Sequence, residues 1–237
     1  MKILAIDSSS APASIAITEN DALVGEFTIN IGKTHSEKLL PLVDQLLDAV
    51  DLSMEDIDAF AISQGPGSFT GLRIGMSAAK LMAQVAGKPL IAVGTLEALA
   101  MNVLPFDGFI CPMLDARNNT VFTALYICKD GKLTELLPPQ ALLTSELNSK
   151  LTALCGNIML CGEYEKYAAK FDENTVSGHK ICRAPRILTL QRASSCAVVA
   201  YTKLLAGENT HPNDVVPLYV RDSQAEQAKK SAKAKRK

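Results

Sequence analysis

The sequence contains no tryptophan, and aromatic residues make up only 5% of its 237 positions. Hydrophobic residues nevertheless reach 48%, so aliphatic side chains and methionine must fill the core. No apolar run approaches the roughly 20 residues of a membrane-spanning helix. Asp7 interrupts the N-terminal apolar run too early for a signal peptide. We therefore expect a globular, cytoplasmic protein without a membrane partner.

Patterns that hold metals or build common catalytic centres are also scarce. The six cysteines form no CxxC pair, and no histidine has a second histidine within one helical turn of it. Zinc sites depend on such pairs, so we predict no metal site and expect buried, reduced thiols. The Gly-x-Ser-x-Gly elbow of hydrolases is missing as well. The spacing of the remaining residues leaves a Ser/His/Asp arrangement open.

Charge is distributed unevenly along the chain. The net charge is −1, but residues 229–237 carry six lysines and arginines and no acidic residue. Such a run is typical of an arm that contacts nucleic acid, and equally of a disordered, solvated tail. Both interpretations of a basic tail at 223–237 stay open.

A unit of strand, aspartate and polar turn occurs twice, about a hundred residues apart, as in a duplicated fold. Leu4–Asp7 is an apolar run that ends in an aspartate, and Pro112–Asp115 repeats that order. The repeat predicts two similar α/β lobes, at 1–104 and 105–222, with the last helix able to pack back on the first lobe. Nucleotides often bind in the crevice between such lobes. Asp7 then either orients phosphate or metal-bound water, or caps its own turn.

Two predicted helices of the first lobe have faces suited to close packing. Apolar residues between Leu39 and Val50 follow a helical period, and Leu72–Ala86 is rich in glycine, alanine and serine. These faces belong either to the core of the lobe or to an interface with the helices of a partner. The interface interpretation uses Leu39, Leu42, Leu46, Leu72, Met76, Ala79 and Ala83.

A glycine-rich segment, residues 64–75, follows a predicted strand at Ile57–Ser63 and leads into the second helix. Such a turn can point backbone N–H groups at an anion. However, the lysine of a Walker A loop is missing, and Thr70 stands where GxGxxG needs its third glycine. We therefore interpret the segment mainly as a tight turn that sets the direction of the helix. The secondary interpretation is an anion-binding turn made of Gly65, Gly67, Ser68, Thr70, Gly71 and Arg73.

Three segments, 3–9, 34–41 and 65–75, together resemble the TsaB family of bacterial tRNA threonylcarbamoyladenosine biosynthesis proteins. The resemblance covers most of the predicted first lobe. Pro217–Arg221 is also similar to the closing segment of the family, whereas the lysine-rich tail is not part of the pattern. The resemblance implies an actin-like ATPase (ASKHA) fold of two duplicated lobes, each with a mixed sheet and helices. That fold agrees with the repeat of Asp7 and Asp115.

The resemblance also implies a function. TsaB proteins are noncatalytic paralogues of TsaD, which transfers threonylcarbamoyl to an adenosine beside the anticodon of tRNAs that read codons beginning with A. The paired histidines of the TsaD metal site are missing here, where the corresponding helix carries His35 alone. The implied function is that of a pseudoenzyme that binds and supports TsaD through helices at Ser36–Val50 and Leu72–Ala86. Asp7 would be a vestigial residue of the nucleotide cleft.

The resemblance implies three kinds of partner. TsaD would form a heterodimer with this chain, the ATPase TsaE would complete the complex, and tRNA would be reached through that complex. The isolated chain would form a homodimer. No cofactor is assigned to this chain, and ATP or ADP is expected only at an interface of the complex. From the residues alone, one alternative stays open: a stand-alone nucleotide hydrolase or peptidase that uses the crevice between the lobes.

Overall fold

The structure is a computed structural model that describes residues 1–31, 35–171, 180–208 and 210–220. The predicted basic tail lies outside these residues, and so do the side chains at positions 35–38, including His35. Within the described ranges, the chain forms two five-stranded mixed sheets and five α-helices. None of the helices in these ranges combines the length and the apolar character needed to cross a membrane.

The first sheet is built around a central, largely buried strand. Its strands are Lys2–Asp7 (β1), Ala13–Glu19 (β2), Ala22–Ile29 (β3), Ala59–Gly65 (β4) and Leu90–Gly94 (β5). The order is β3-β2-β1-β4-β5, with β1, β2 and β3 antiparallel and β4 and β5 parallel to β1. A strand that is covered on both faces needs apolar residues at successive positions, which explains the continuous apolar run of β1.

The second sheet repeats this topology. Its strands are Gly108–Asp115 (β6), Thr120–Lys129 (β7), Lys132–Leu143 (β8), Ile158–Gly162 (β9) and Ile181–Arg183 (β10). The order is β10-β9-β6-β7-β8, with the antiparallel and parallel pairs in the same places as in the first sheet. The repetition confirms two duplicated lobes, and β1 and β6 both end at the aspartates that marked the repeat.

Helices cover both faces of the first sheet. Large side chains such as Ile6, Ile15 and Phe60 point to one face, where they pack on the first two helices. Alanines at positions 5, 16, 59 and 61 line the other face, so the small residues of the last helix approach it closely. Alternate strand residues point to opposite faces, so the sequence of β1 sets what each face contacts. The helices are His35–Ala49 (α1), Phe69–Ala86 (α2), Thr95–Met101 (α3), Thr144–Thr152 (α4) and Ala193–Leu205 (α5).

Two helices pack on the lobe to which they do not belong in sequence. α3 follows the first sheet along the chain, yet Leu96 and Leu99 join the core cluster of the second sheet. α5 follows the second sheet along the chain and packs against β1 and β2. Each lobe thus takes a helix from the other half of the chain, and the boundary expected between residues 104 and 105 stays a prediction.

Several element bounds differ from the sequence predictions for physical reasons. α2 begins at Phe69 rather than Leu72, because Ser68 caps it by accepting a hydrogen bond from the Gly71 N–H at 3.3 Å. The periodic pattern does not predict β8 at all. This strand contains Pro138 and Pro139, which lack the N–H that a sheet ladder uses, and it is tolerated because it lies at the edge of its sheet.

Candidate functional site

Both carboxylate oxygens of Asp7, the last residue of β1, accept hydrogen bonds from nearby residues of the same chain. Oδ1 accepts a hydrogen bond from the Ser9 N–H at 2.9 Å and another from the Ser9 hydroxyl at 2.6 Å. Oδ2 accepts one from the hydroxyl of Ser63, on β4, at 2.5 Å. Asp7 is only 1% exposed. The structure thus shows Asp7 capping its turn, and its place as a vestigial nucleotide-cleft residue stays a prediction.

The glycine-rich turn packs backbone to backbone against the polar turn that follows β1. The N–H of Ser68 donates to the carbonyl oxygen of Ser9 at 2.6 Å. A Cβ on Gly67 would lie 2.2 Å from that same oxygen, and a Cβ on Gly71 would lie 2.1 Å from the carbonyl oxygen of Ser8. Only glycine allows so close an approach. These contacts support the tight-turn interpretation, while anion binding by the segment stays a prediction.

Two other predicted members of the anion-binding turn, Gly65 and Arg73, contact Leu218 and Tyr219 near the C-terminal end of the described residues. Gly65 has φ +123°, and a Cβ there would lie 2.5 Å from the carbonyl oxygen of Leu218. Arg73 is exposed, and its Nε donates to the Tyr219 hydroxyl at 3.0 Å. Thr70 is exposed as well. The only cation of the turn is therefore engaged by a tyrosine of the same chain.

Residues 212–220, which we call the closing segment, lie alongside α2 and run from its C-terminal end to its N-terminal end. Lys80 Nζ donates to the Asn213 carbonyl oxygen at 3.3 Å, and Val215 is buried in the core of the first lobe. The N–H of Leu218 donates to the Gln64 carbonyl oxygen at 2.7 Å. Periodicity alone does not reveal this packing, because its contacts join distant positions: Arg73 and Tyr219, for example, are 146 residues apart.

Asp115, the aspartate of the second lobe that corresponds to Asp7, forms an ion pair with a lysine. Asp115 Oδ1 accepts hydrogen bonds from the Arg117 N–H at 2.7 Å and the Tyr167 hydroxyl at 2.5 Å, and Oδ2 pairs with Lys166. Burial alone would raise the pKa of Asp115, but the bonds from Lys166, Tyr167 and the Arg117 N–H outweigh burial and hold that pKa below its usual range. Both repeated aspartates thus have partners within the chain.

The N-terminus of α5 is occupied by a carboxylate of the same chain. Glu26, on β3, accepts hydrogen bonds from the Ser194 N–H at 3.1 Å and the Ser194 hydroxyl at 2.8 Å, and from the Arg192 guanidinium at 2.6 Å. The Glu26 side chain is 9% exposed. A helix N-terminus attracts anions, and here the anion is internal. No local pattern in the sequence marks this contact, because Glu26 and Ser194 are 168 residues apart.

The side chains predicted to contact a partner lie in the core of the first lobe instead. This corrects the expectation that they are free to be covered by a partner, since the same stripe already packs on the first sheet. On α2, the apolar side chains that remain exposed are Leu81, at 56%, and Val85, at 81%. An interface formed by other residues of α1 and α2 stays a prediction. The buried residues are Leu39, Leu42, Leu46, Leu72, Met76, Ala79 and Ala83.

Metal-ligating side chains do not cluster in the part of the chain that the structure describes. No group of three or more His, Cys, Asp or Glu residues in those ranges could hold a metal ion. Cys111, Cys128, Cys161 and Cys196 are buried free thiols, as predicted, whereas Cys155 is exposed. Burial raises the pKa of Cys111 to about 12, so this thiol stays protonated and unreactive at neutral pH.

The chain is similar to proteins of tRNA modification. The family described as TsaD, tRNA N6-adenosine threonylcarbamoyltransferase, matches residues 30–229. A protein of Bacillus subtilis named tRNA threonylcarbamoyladenosine biosynthesis protein TsaB is 39% identical over 146 residues, which is 62% of this chain and 64% of that protein. The protein of the same name in Escherichia coli is 28% identical over 228 residues, 95% of this chain and 96% of that protein.

A solved structure has the same fold. It is a crystal structure from Pseudomonas aeruginosa, described as an uncharacterized protein with similarity to peptidase YeaZ. It superposes with a TM-score of 0.78 and 23% identity over 93% of this chain and 99% of that one. At this identity the likeness concerns the fold alone, and it agrees with the two duplicated α/β lobes. The match to the Bacillus subtilis relative spans less than two thirds of that protein.

Proposed function

The chain belongs to the family described as TsaD, tRNA N6-adenosine threonylcarbamoyltransferase, and we propose that it is a noncatalytic subunit in tRNA threonylcarbamoyladenosine biosynthesis. Its task would be to bind a catalytic TsaD and support it in a heterodimer. Similarity along nearly the whole length of the Escherichia coli TsaB protein supports the place in this biosynthesis. The noncatalytic role is supported by the internal contacts of the two repeated turns.

The hydrogen bonds of Asp7 are the observation that carries the noncatalytic role. A carboxylate that orients phosphate or metal-bound water must contact that group directly. Asp7 is instead buried, and the hydroxyls of Ser9 and Ser63 donate to its two oxygens. Leaving a buried donor or acceptor unpaired costs about 1–3 kcal/mol. Catalysis through Asp7 would therefore have to begin with an unfavourable rearrangement of the turn.

The exposed side of α2 is the surface that we propose for TsaD. Leu81 and Val85 lie four positions apart, so their side chains share one face of the helix. Exposed apolar side chains at this spacing are typical of helix–helix contacts. We propose that the same surface holds a homodimer when TsaD is absent. TsaE and an ATP or ADP molecule at an interface of the complex belong to the same proposal.

Co-purification of the full chain with TsaD of the same organism tests this surface. Val85→Glu would bury an unpaired carboxylate in the contact, which costs several kcal/mol, and about 1.4 kcal/mol already changes affinity tenfold. We expect recovery of TsaD to fall at least tenfold. Ile187→Glu is the matched control, because Ile187 is 80% exposed and lies outside α1 and α2. Undiminished recovery with a folded Val85→Glu variant would place the interface elsewhere.

The enzyme alternative predicts turnover by the purified chain alone. We expect no ATP hydrolysis above background when Mg²⁺ is added. Hydrolysis that Asp7→Asn abolishes and Asp107→Asn preserves would favour a stand-alone nucleotide hydrolase. Asp107 is a suitable control because it is exposed and lies outside the repeated turns. A peptidase would be indicated by cleavage of an unfolded protein substrate with the same dependence on Asp7.

A further inference from the structure

The exposed side of α2 carries a stripe of side chains that is apolar at one end and positively charged at the other. Its members are exposed and follow one another at four-residue intervals: Arg73, Ser77, Leu81 and Val85. Side chains four positions apart lie on the same face of a helix, and at 1.5 Å per residue Arg73 and Leu81 are about 12 Å apart along its axis. The apolar contact proposed for TsaD therefore continues along α2 to a guanidinium.

Two aromatic rings hold the Arg73 guanidinium in place. It lies 4.1 Å from the centroid of the Phe69 ring and 5.9 Å from that of Tyr219. The two rings stack on each other, with 4.3 Å between centroids and 22° between planes. Arg73 Nε also donates to the Tyr219 hydroxyl at 3.0 Å. Because this guanidinium is already ordered, it loses less conformational entropy when it binds a further group.

Tyr219 can support Arg73 because the closing segment is itself anchored. The N–H of Leu218 donates to the Gln64 carbonyl oxygen at 2.7 Å. Val215 is buried in the core of the first lobe. These contacts fix the backbone that carries Tyr219, so the Tyr219 hydroxyl has a defined position beside the first turns of α2.

The two terminal nitrogens of Arg73, Nη1 and Nη2, donate to no acceptor among the residues that the structure describes. The ion pairs in those ranges do not include Arg73 either. Nη1 and Nη2 form a planar fork that can donate to both oxygens of one carboxylate. Arg73 is thus an exposed, ordered guanidinium whose fork remains available for such a carboxylate.

We propose that Arg73 binds an aspartate or glutamate of TsaD, and that this ion pair sets the orientation of TsaD on α2. This inference rests on the proposed function, because TsaD is the partner assigned to this side of α2. A helix of TsaD that packs along the stripe needs apolar side chains opposite Leu81 and Val85 and a carboxylate beside Arg73. The reverse orientation would place that carboxylate against Val85 and leave it unpaired, so the stripe selects one orientation.

A second copy of the chain fits the stripe less well than a partner with a carboxylate. α2 contains no acidic residue, so two copies that meet α2 against α2 leave Arg73 without a carboxylate. A two-fold axis at the middle of the stripe would place Arg73 opposite Val85 of the second copy. Covering an unpaired cation with apolar side chains is unfavourable. The stripe therefore favours the heterodimer over the homodimer.

The affinity of the full chain for TsaD of the same organism, measured by isothermal titration calorimetry, tests the proposal. Arg73→Gln removes the charge, and we expect Kd to rise about ten- to hundredfold because the carboxylate of TsaD loses its charged partner. Arg73→Lys keeps the charge without the planar fork, so we expect a smaller rise of about three- to tenfold. A folded Arg73→Gln variant that binds TsaD as tightly as the unaltered chain would overturn the proposal.

Lys80→Gln is the matched control for charge. It removes one positive charge from the same helix, but Lys80 lies beside the closing segment, where its Nζ donates to the Asn213 carbonyl oxygen at 3.3 Å. We expect the Kd for TsaD to change less than about twofold. Equal losses of affinity with Lys80→Gln and Arg73→Gln would show that only net charge matters, and the proposal would be wrong.

Tyr219→Phe tests whether Tyr219 positions the guanidinium. The variant keeps a ring that can stack on Phe69 but lacks the hydroxyl that accepts from Arg73 Nε. We expect the Kd for TsaD to rise about two- to tenfold. In an Arg73→Gln background, Tyr219→Phe should have no further effect on the Kd. Equal effects in both backgrounds would show that Tyr219 contacts TsaD separately, and would overturn its role as a positioning residue.

An exchange of charges across the contact identifies the partner residue. Arg73→Glu places two carboxylates against each other, so we expect binding to weaken more than with Arg73→Gln. In this background, each exposed aspartate and glutamate of TsaD is replaced in turn by arginine. One of these replacements should restore the Kd to within about tenfold of its original value. Failure of every replacement would rule out a carboxylate of TsaD as the partner of Arg73.

The same measurements separate the ion pair from the proposed function. If Val85→Glu weakens binding of TsaD and Arg73→Gln does not, the ion pair is wrong and the α2 surface stands. If neither variant affects a complex that does form, the ion pair and the α2 surface are both wrong, while the support of TsaD stands. If TsaD does not bind the unaltered chain, the proposed function fails, and the ion pair fails with it.

Discussion

The glycines of α2 provide a test in which local and tertiary effects have opposite signs. By helix propensity alone, alanine in place of Gly71 or Gly75 should stabilise the helix by about 0.5–1 kcal/mol. In the folded chain, a Cβ on Gly71 would lie 2.1 Å from the Ser8 carbonyl oxygen, and a Cβ on Gly75 would lie 2.2 Å from the Ser8 hydroxyl oxygen. The sign of the change in the free energy of unfolding therefore shows which effect dominates.

The two contacts differ in how they can be relieved. The carbonyl oxygen opposite Gly71 belongs to the backbone, so either the helix or the turn must move, and overpacking of this kind costs about 1–3 kcal/mol. The movement also disturbs the bond from the Ser8 hydroxyl to the Gly71 carbonyl oxygen, 2.9 Å long, which contributes about 0.5–1.5 kcal/mol. After the gain in propensity, we expect Gly71→Ala to lower the free energy of unfolding by about 2 kcal/mol.

Gly75→Ala should cost less, because the Ser8 hydroxyl can rotate away with the loss of that one hydrogen bond. In a Ser8→Ala background the hydroxyl is gone, and the nearest remaining atoms to the new Cβ are Ile62 Cδ1 at 3.1 Å and the Cβ of residue 8 at 3.4 Å. Gly75→Ala should then be neutral or stabilising by up to about 1 kcal/mol. Gly71→Ala should remain destabilising in the same background, because the opposing carbonyl is still present.

Urea unfolding of the purified chain, followed by circular dichroism, measures all these differences as a double-mutant cycle. Gly87→Ala is a useful control, because Gly87 has φ +64° and no atom within 4 Å of a new Cβ. It should show only the cost of a left-handed alanine, about 1 kcal/mol, with no dependence on Ser8. Stabilisation by Gly71→Ala, or rescue of that variant by Ser8→Ala, would refute the backbone contact.

Other predictions concern acid sensitivity, the clamp on α5 and the core of α2. Asp115→Asn should make the stability of the chain less sensitive to acid, because folding lowers the pKa of Asp115. The ionised carboxylate therefore contributes its full stabilisation above about pH 4, and this contribution is lost as the pH falls through the lowered pKa of the folded state. Urea unfolding at pH 7 and pH 3 checks this, and an equal acid loss in both proteins would contradict it. Glu26→Ala should lower the free energy of unfolding by about 1–3 kcal/mol, because Arg192 loses a largely buried charged partner. Glu19→Ala, which removes an exposed ion pair 3.9 Å long, should cost less than about 1 kcal/mol in the same assay, and equal costs would refute the clamp. Ala83→Glu should unfold the chain, since Ala83 is fully buried, and a folded circular dichroism spectrum for that variant would contradict its place in the core.

The sequence was sufficient where structure depends on local patterns. The apolar run before Asp7, the periodic residues of α1 and the repeat at Asp115 each predict the element that is found, within a few residues of its ends. The duplicated topology follows from the same repeat. The burial of Leu39 and Met76 was harder to assign, because an apolar stripe on a helix has the same pattern whether it packs on its own sheet or on a partner.

Long-range contacts explain most of what the sequence could not provide. The Glu26 carboxylate contacts α5 across 166 residues or more, and the closing segment binds α2 across similar distances along the chain. Taken locally, Glu26 is only a charged residue in an edge strand, and the closing segment is only a short stretch that contains prolines. Their contacts become evident only after the second lobe returns α5 to the first sheet. The close approach of Gly67 and Gly71 is also invisible in the sequence, because their partner atoms are carbonyl oxygens of the turn that follows β1.

The two copies of the strand–aspartate–turn unit have diverged in a way that bears on function. In the first lobe the turn is buried under the glycine-rich segment, and Asp7 is held by hydroxyls. In the second lobe the turn is open, with positive φ at Arg117, Asn118 and Asn119, and Asp115 is neutralised by Lys166. A site that needed both aspartates to act on one ligand would require both to keep a free oxygen toward the crevice. Each copy has a different internal partner instead, and this difference supports the noncatalytic role proposed above.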